Sequence, residues 1–194
     1  MQPLDQPLQL NKHVRSLDGI RGIAILLVMM LHLAIFDKQA FGSHILGKIV
    51  STGWVGVELF FVLSGLLITG ILLDAKEKPN YFRKFYIRRM LRIFPLYYLL
   101  LVFSFYVLPL FNHPKHESFA RLYGSEIWYW LFLSNFSIAY KGQPMHGIMD
   151  VTWSLAIEEQ FYLIWPLLVF LLSRRTLVLC CFGLISVSVL CRFV

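Results

Sequence analysis

Charge is scarce in this chain. Of its 194 residues only 15% are charged, against 58% apolar and 16% aromatic. A soluble domain carries about a quarter charged residues and just under half apolar ones. The deficit argues against a soluble enzyme and against a disordered chain. Cysteine is scarce as well. The three present, Cys180, Cys181 and Cys191, all fall in one late apolar segment. Their spacing matches neither a metal site nor a disulfide framework, so neither a metal centre nor a disulfide-rich secreted module is expected. Acidic residues number 11 against 18 basic ones, a net charge of +7. Such an excess would suit nucleic acid, but the basic residues sit beside long apolar runs, so no nucleic-acid partner is expected. Internal repeats and low-complexity linkers are missing too.

What the chain does have is apolar runs, with a mean hydropathy of +0.65. After a leader over 1–19, six apolar blocks follow at 20–36, 55–73, 93–111, 127–140, 153–172 and 177–194. A helix needs about 20 residues to cross about 30 Å of hydrocarbon. Blocks two, three and five reach that length. Block one reaches it only with Arg21 and His32 inside the span. Block four covers roughly 21 Å, which predicts a short or re-entrant element. In lipid only helices satisfy every backbone group within one segment. The fold class is therefore all-α, a polytopic transmembrane bundle of about five to six helices with the lipid bilayer as its first partner. The long polar leader and the intramembrane His32 argue against reading block one as a cleaved signal peptide.

Lys and Arg mark the cytoplasmic side of a membrane protein. Seven of the 18 lie between Asp74 and Arg92: Lys76, Lys78, Arg83, Lys84, Arg88, Arg89 and Arg92. The leader adds Lys12 and Arg15, with Arg21 just beyond it. This predicts a multi-pass protein of the cell membrane with a cytoplasmic N-terminus. If block four returns rather than crosses, Arg174 and Arg175 are cytoplasmic too.

Ionisable residues inside a span are costly and are functional candidates by default. Arg21 and His32 stand 11 residues apart, about three turns plus 20°, so they share one face of a helix. Histidine readily takes and gives protons near neutral pH; the structural alternative is an imidazole bridging two helices. Glu58 lies about one turn from the external end of block two, at the depth of His32. A carboxylate there would orient the imidazole, or else simply reach external water. Ser154, Glu158 and Tyr162 follow at i, i+4 and i+8 on one face, and this topology places Glu158 near the external end as well. The neighbouring Trp54, Trp153 and Tyr162 also suit an interfacial aromatic belt. At the opposite end, Arg88, Arg89 and Arg92 lead into block three, Arg89 and Arg92 being neighbours on a helix. Guanidinium groups bind phosphate bidentately; the alternative is charge that holds the loop inside or touches anionic lipid.

Four stretches carry a resemblance: RSLDGIRGIAILLVMMLHL at 15–33, GWVGVELFFVLSGLLITGILL at 53–73, FYIRRMLRIFPLYYL at 85–99 and DVTWSLAIEEQFYLIWPLL at 150–168. Together the chain resembles the N-terminal part of the membrane-bound acyltransferase-3 family, which includes O-acetyltransferases of bacterial surface polysaccharides. The resemblance implies that the family's Arg-x10-His pair falls on Arg21 and His32, and its Arg-x-x-Arg pair on Arg89 and Arg92. It implies acyl transfer, commonly of acetyl, from cytoplasmic acyl-coenzyme A to a hydroxyl of a glycan or lipid-linked sugar. His32 would then be base or acyl relay, with Glu58 and Glu158 as further catalytic candidates. Arg21, Arg88, Arg89 and Arg92 would bind the donor, acyl-CoA serving as a substrate and no cofactor being tightly held. The family often has Asp where this chain has Glu58. It usually has about ten spans, so about half a domain is present here and an inactive, truncated product is one expectation. A proton-coupled carrier and a non-catalytic remnant are the alternatives, and a homo-oligomer is left open.

Overall fold

The computed structural model describes residues 15–36, 52–111, 126–141 and 148–191. Among these every regular element is helical and no strand occurs. The chain divides into two compact units, Met1–Ala75 and Lys76–Val194.

The first unit is a pair of packed helices, α1 (Arg15–Phe36) and α2 (Trp54–Ala75). Gly56 sets their approach. A Cβ at that position would lie 2.7 Å from the Ala24 carbonyl oxygen and 2.9 Å from Leu27 Cβ. Ala24 itself is fully buried. Two small residues thus let the backbones meet, the usual device where lipid removes any hydrophobic drive between helices. Leu63, Ser64, Ile68 and Leu72 continue the buried side of α2 at helical spacing.

The second unit is organised around α3, Tyr81–Phe111. Its 31 residues extend about 46 Å, more than the hydrocarbon needs. It is α-helical over Tyr81–Val102, widens to a π-helix over Phe103–Val107, and closes with Leu108–Phe111. The segment read from sequence as a loop up to Arg92 is therefore mostly helix. Only a short turn separates α2 from α3, and it ends at Asn80, whose φ of 61° suits an asparagine. The arginines ride on the extension of a spanning helix, so their spacing is fixed by helical geometry.

Block four is broken. It forms α4 (Glu126–Trp130) and α5 (Ser134–Lys141), with Phe132 between them at a φ of 55°. The two pieces together extend about 20 Å, so no continuous helix crosses here. Non-helical backbone at membrane depth is tolerated only where protein satisfies it. Three side chains do so. Tyr97 Oη donates to the Tyr129 carbonyl at 2.7 Å, Tyr98 Oη to that of Trp130 at 3.4 Å, and Gln160 Nε2 to that of Phe132 at 2.9 Å. The Tyr97 and Phe132 rings stack with centroids 4.1 Å apart. Burial and stacking offset the cost of a left-handed phenylalanine, about 1–2 kcal/mol.

A 3₁₀ turn (Ile148–Val151) leads into α6 (Thr152–Leu171), and α7 (Arg174–Leu190) follows. Ser173 caps α7 by accepting from the Thr176 amide. Helix α6 runs antiparallel to α3. Tyr81 Oη donates to the Pro166 carbonyl and Tyr86 Oη to that of Leu163, while Ala156 packs with Tyr97 and Leu101.

Trp54–Ala75, Tyr81–Phe111 and Thr152–Leu171 are long and apolar enough to cross a membrane; the apolar stretch of α1, Gly19–His32, is shorter. Large apolar side chains cover their outer faces: Val62 is 68% exposed, Leu96 72% and Leu110 80%. Such coverage would aggregate in water and is natural in lipid. This is a membrane protein built as part of a helical bundle.

Candidate active site

The expected site residues divide between the units, Arg21, His32 and Glu58 in the first and Arg88, Arg89, Arg92 and Glu158 in the second. In the first, His32 is half-buried on α1, and its Nδ1 lies 2.8 Å from the Val28 carbonyl. A carbonyl only accepts, so Nδ1 carries the proton and donates. In the neutral ring this leaves Nε2 as an open lone pair. Three turns back, Arg21 has a buried Nε that meets no hydrogen-bond acceptor among the described residues. Buried guanidinium nitrogens are normally satisfied, so this atom stands out among the described residues.

The expected pairing of Glu58 with His32 is not formed. Glu58 is exposed on α2 and makes no hydrogen bond or ion pair with a described residue. The reason is register. Gly56 meets α1 at Ala24, Leu27 and Val28, so the start of α2 lies against the middle of α1, short of His32. The Val28 carbonyl orients the imidazole, and among the described residues no carboxylate does.

In the second unit Arg89 joins α3 to α6. Its guanidinium carbon lies 4.5 Å from the centroid of the Tyr162 ring and 5.8 Å from that of Phe85. Its Nη1 donates to Tyr162 Oη at 3.3 Å, and Tyr162 Oη donates in turn to the Glu158 carboxylate. The i, i+4 spacing of Glu158 and Tyr162 thus closes as a bond. Ser154 takes no part in it, donating instead to the Val151 carbonyl.

This chain of bonds corrects the depth expected of Glu158. It stands beside Arg89 at the basic end of α3, not at the far end. The first turn of α6 explains the difference. Thr152 and Ala156 are fully buried, and Ala156 belongs to a cluster with Tyr97, Leu101, Tyr129 and Met149, about halfway along α3. The helix therefore starts inside the protein, and counting from its first residue misjudges depth. The adjacent Glu159 has a buried Oε1 that no described residue bonds.

The arginines also divide. Arg89 points into the protein, whereas Arg88 and Arg92 are exposed. Two contributors were not foreseen, Asn135 and Gln160. Asn135 Nδ2 donates to Gln160 Oε1 at 3.2 Å, and Gln160 Nε2 returns a bond to Asn135 Oδ1 at 3.0 Å. Two amides within apolar blocks were the available signal, since neither can stay unpaired in lipid. Among the described residues no group of His, Cys, Asp and Glu could hold a metal.

Residues 14–193 match a family described as an acyltransferase domain. The chain belongs to that family. It is similar to the peptidoglycan O-acetyltransferase OatA of Listeria monocytogenes, at 37% identity over 173 residues, covering 83% of this chain and 25% of that protein. It is 34% identical to the putative peptidoglycan O-acetyltransferase YrhL of Bacillus subtilis, covering 82% of this chain and 24% of that protein. A putative O-acetyltransferase of Staphylococcus aureus strain COL is 33% identical, covering 81% of this chain and 25% of that protein. The chain thus spans about a quarter of the length of these relatives. No solved structure matches it.

Proposed function

We propose that this chain serves transfer of an acyl group, in the first instance acetyl, from acyl-coenzyme A to a hydroxyl of an envelope glycan. The relatives' names make peptidoglycan the first acceptor to test. One observation carries the reading: an intramembrane histidine whose Nδ1 is committed to the Val28 carbonyl, leaving Nε2 as the base. In this reading Nε2 takes the proton of the acceptor hydroxyl as its oxygen attacks the thioester carbonyl. The carbon–sulfur bond then breaks, and the coenzyme A thiolate leaves and takes up the proton.

Arg89 and Arg92, neighbours at i, i+3 on α3, are assigned to the donor phosphates; Arg21, in the other unit, has a buried Nε that no described residue bonds and is a separate candidate for an anion. Arg88 is exposed and bonds to no described residue, and no step of this reading rests on it. Glu158, through Tyr162, positions Arg89, and Glu58 has no assigned step. The excess of Lys and Arg around Lys76–Arg92 supports a multi-pass orientation with that end and the N-terminus in the cytoplasm.

The test is mass spectrometry of envelope glycan from cells with and without this gene, and with His32→Ala. An added acetyl mass that depends on the gene and disappears with His32→Ala is expected. Acetylation unchanged by His32→Ala removes the histidine from the reaction. Movement of an unmodified substrate across the membrane would assign these groups to a proton-coupled carrier instead.

A further inference from the structure

The first three turns of α3 have two unlike faces. Tyr81, Phe85 and Arg89, at i, i+4 and i+8, point into the protein, where they meet Phe170, Tyr162 and Pro166. Away from them lies a second stripe. Asn80, Arg83, Lys84, Ile87 and Arg88 line a concavity of about 290 Å³, and all five are exposed. Arg83, Lys84 and Arg88 bond to no described residue, and nothing in the acyl-transfer reading uses them.

The stripe changes character along the helix axis. Arg83, Ile87 and Leu91 follow at i, i+4 and i+8, with Lys84 and Arg88 alongside. Ile87 is 44% exposed and Leu91 71%. Three cations therefore give way, within about 12 Å, to uncovered aliphatic surface on a spanning helix. A free phosphate would use only the cations. A phospholipid matches the whole stripe, with its phosphate on the cations and its acyl chains along Ile87 and Leu91. Basic clusters next to a span attract anionic headgroups.

We infer that the Arg83–Lys84–Arg88 groove of α3 is a binding site for an anionic phospholipid. The site is separate from the Arg89–Tyr162 cluster and holds whether or not acyl transfer is the chain's activity.

Native mass spectrometry of the purified full chain tests this. The protein in detergent is offered phosphatidylglycerol and phosphatidylcholine of equal chain length in equal amounts. A preference for phosphatidylglycerol of at least about fivefold is expected, roughly what one basic residue near an anionic headgroup supplies. The Arg83→Gln/Lys84→Gln/Arg88→Gln variant is expected to bring the ratio to about one. Its thermal unfolding without lipid should match the parent, because the three side chains bond to no described residue. The Arg174→Gln/Arg175→Gln variant, which alters exposed cations at the start of α7, is expected to keep the preference. Equal retention of the two lipids by the parent, or an equal loss in both variants, would overturn the site. Displacement of phosphatidylglycerol by millimolar inorganic phosphate would also overturn it, marking a phosphate site without lipid recognition.

Discussion

Arg89 lies over the face of Tyr162, its guanidinium carbon 4.5 Å from the ring centroid, while its Nη1 bonds the phenol oxygen of the same side chain. One tyrosine thus holds the arginine through both ring and hydroxyl, and hands the remaining hydrogen bond to Glu158. The two contributions are separable. Tyr162→Phe keeps the ring and leaves Glu158 without its donor, a loss of about 1–3 kcal/mol. Tyr162→Leu also removes the cation–π contact, a further 1–2 kcal/mol or about that. Thermal unfolding in detergent should rank the parent above Phe, and Phe above Leu. Equal midpoints for Phe and Leu would show that the stacking contributes nothing.

Gly56 and Gly65 lie on the same helix in opposite situations. A Cβ at Gly56 would meet the Ala24 carbonyl oxygen and Leu27 Cβ, neither of which can swing away. Gly56→Ala must therefore separate α1 from α2, at about 1–3 kcal/mol. At Gly65 a Cβ would meet nothing within 4 Å. Gly65→Ala should stabilise α2 by roughly 0.5–1 kcal/mol through helix propensity alone. Thermal unfolding of the two variants is the check. A neutral Gly56→Ala would show that the helices do not meet there.

Gln160 carries the broken segment. Its amide donates to the Phe132 carbonyl and to Asn135, and accepts from Asn135. Gln160→Leu strands these groups, costing about 2–5 kcal/mol if two buried partners are lost. Gln160→Glu is expected to be at least as damaging while ionised, since a carboxylate would face the Phe132 carbonyl with no proton to offer. Limited proteolysis within α4 and α5 should quicken in both variants. Unchanged cleavage would mean that the tyrosine bonds from α3 suffice.

Quantities local to one segment are legible in the sequence. Blocks two, three and five became α2, α3 and α6 because length and apolarity are properties of the segment itself. The Glu158–Tyr162 bond was legible for the same reason, as i, i+4 spacing on one helix. The shortness of block four was visible, but its break was not. Phe132 adopts a positive φ without glycine or proline to announce it, and only Tyr97, Tyr98 and Gln160 from other helices make that conformation affordable. Depth is not local. The ends of the apolar blocks do not give it, because α3 runs beyond its block by three turns and α6 begins inside the protein. Glu158 therefore moved to the basic end, and Glu58 separated from His32 because Gly56 sets a register that no single helix encodes.

His32 offers a prediction that reaches the proposed chemistry without any assay of activity. The Val28 carbonyl can only accept, so the neutral ring must carry its proton on Nδ1. Nitrogen-15 spectra of the histidine-labelled chain in lipid should show, for the signal lost in His32→Ala, a protonated Nδ1 and an unprotonated Nε2. The opposite tautomer would place a proton where the base must be free and would remove Nε2 from the acceptor step. The backbone bond also explains an expected asymmetry between replacements. Asparagine can reproduce the bond to Val28 but supplies no ring lone pair, so His32→Asn should keep the stability of α1 within about 0.5–1 kcal/mol, the ordinary worth of one hydrogen bond. It should nonetheless lose acyl transfer as completely as His32→Ala does. Retained transfer in His32→Asn would mean that the residue holds the helix in place and takes no proton.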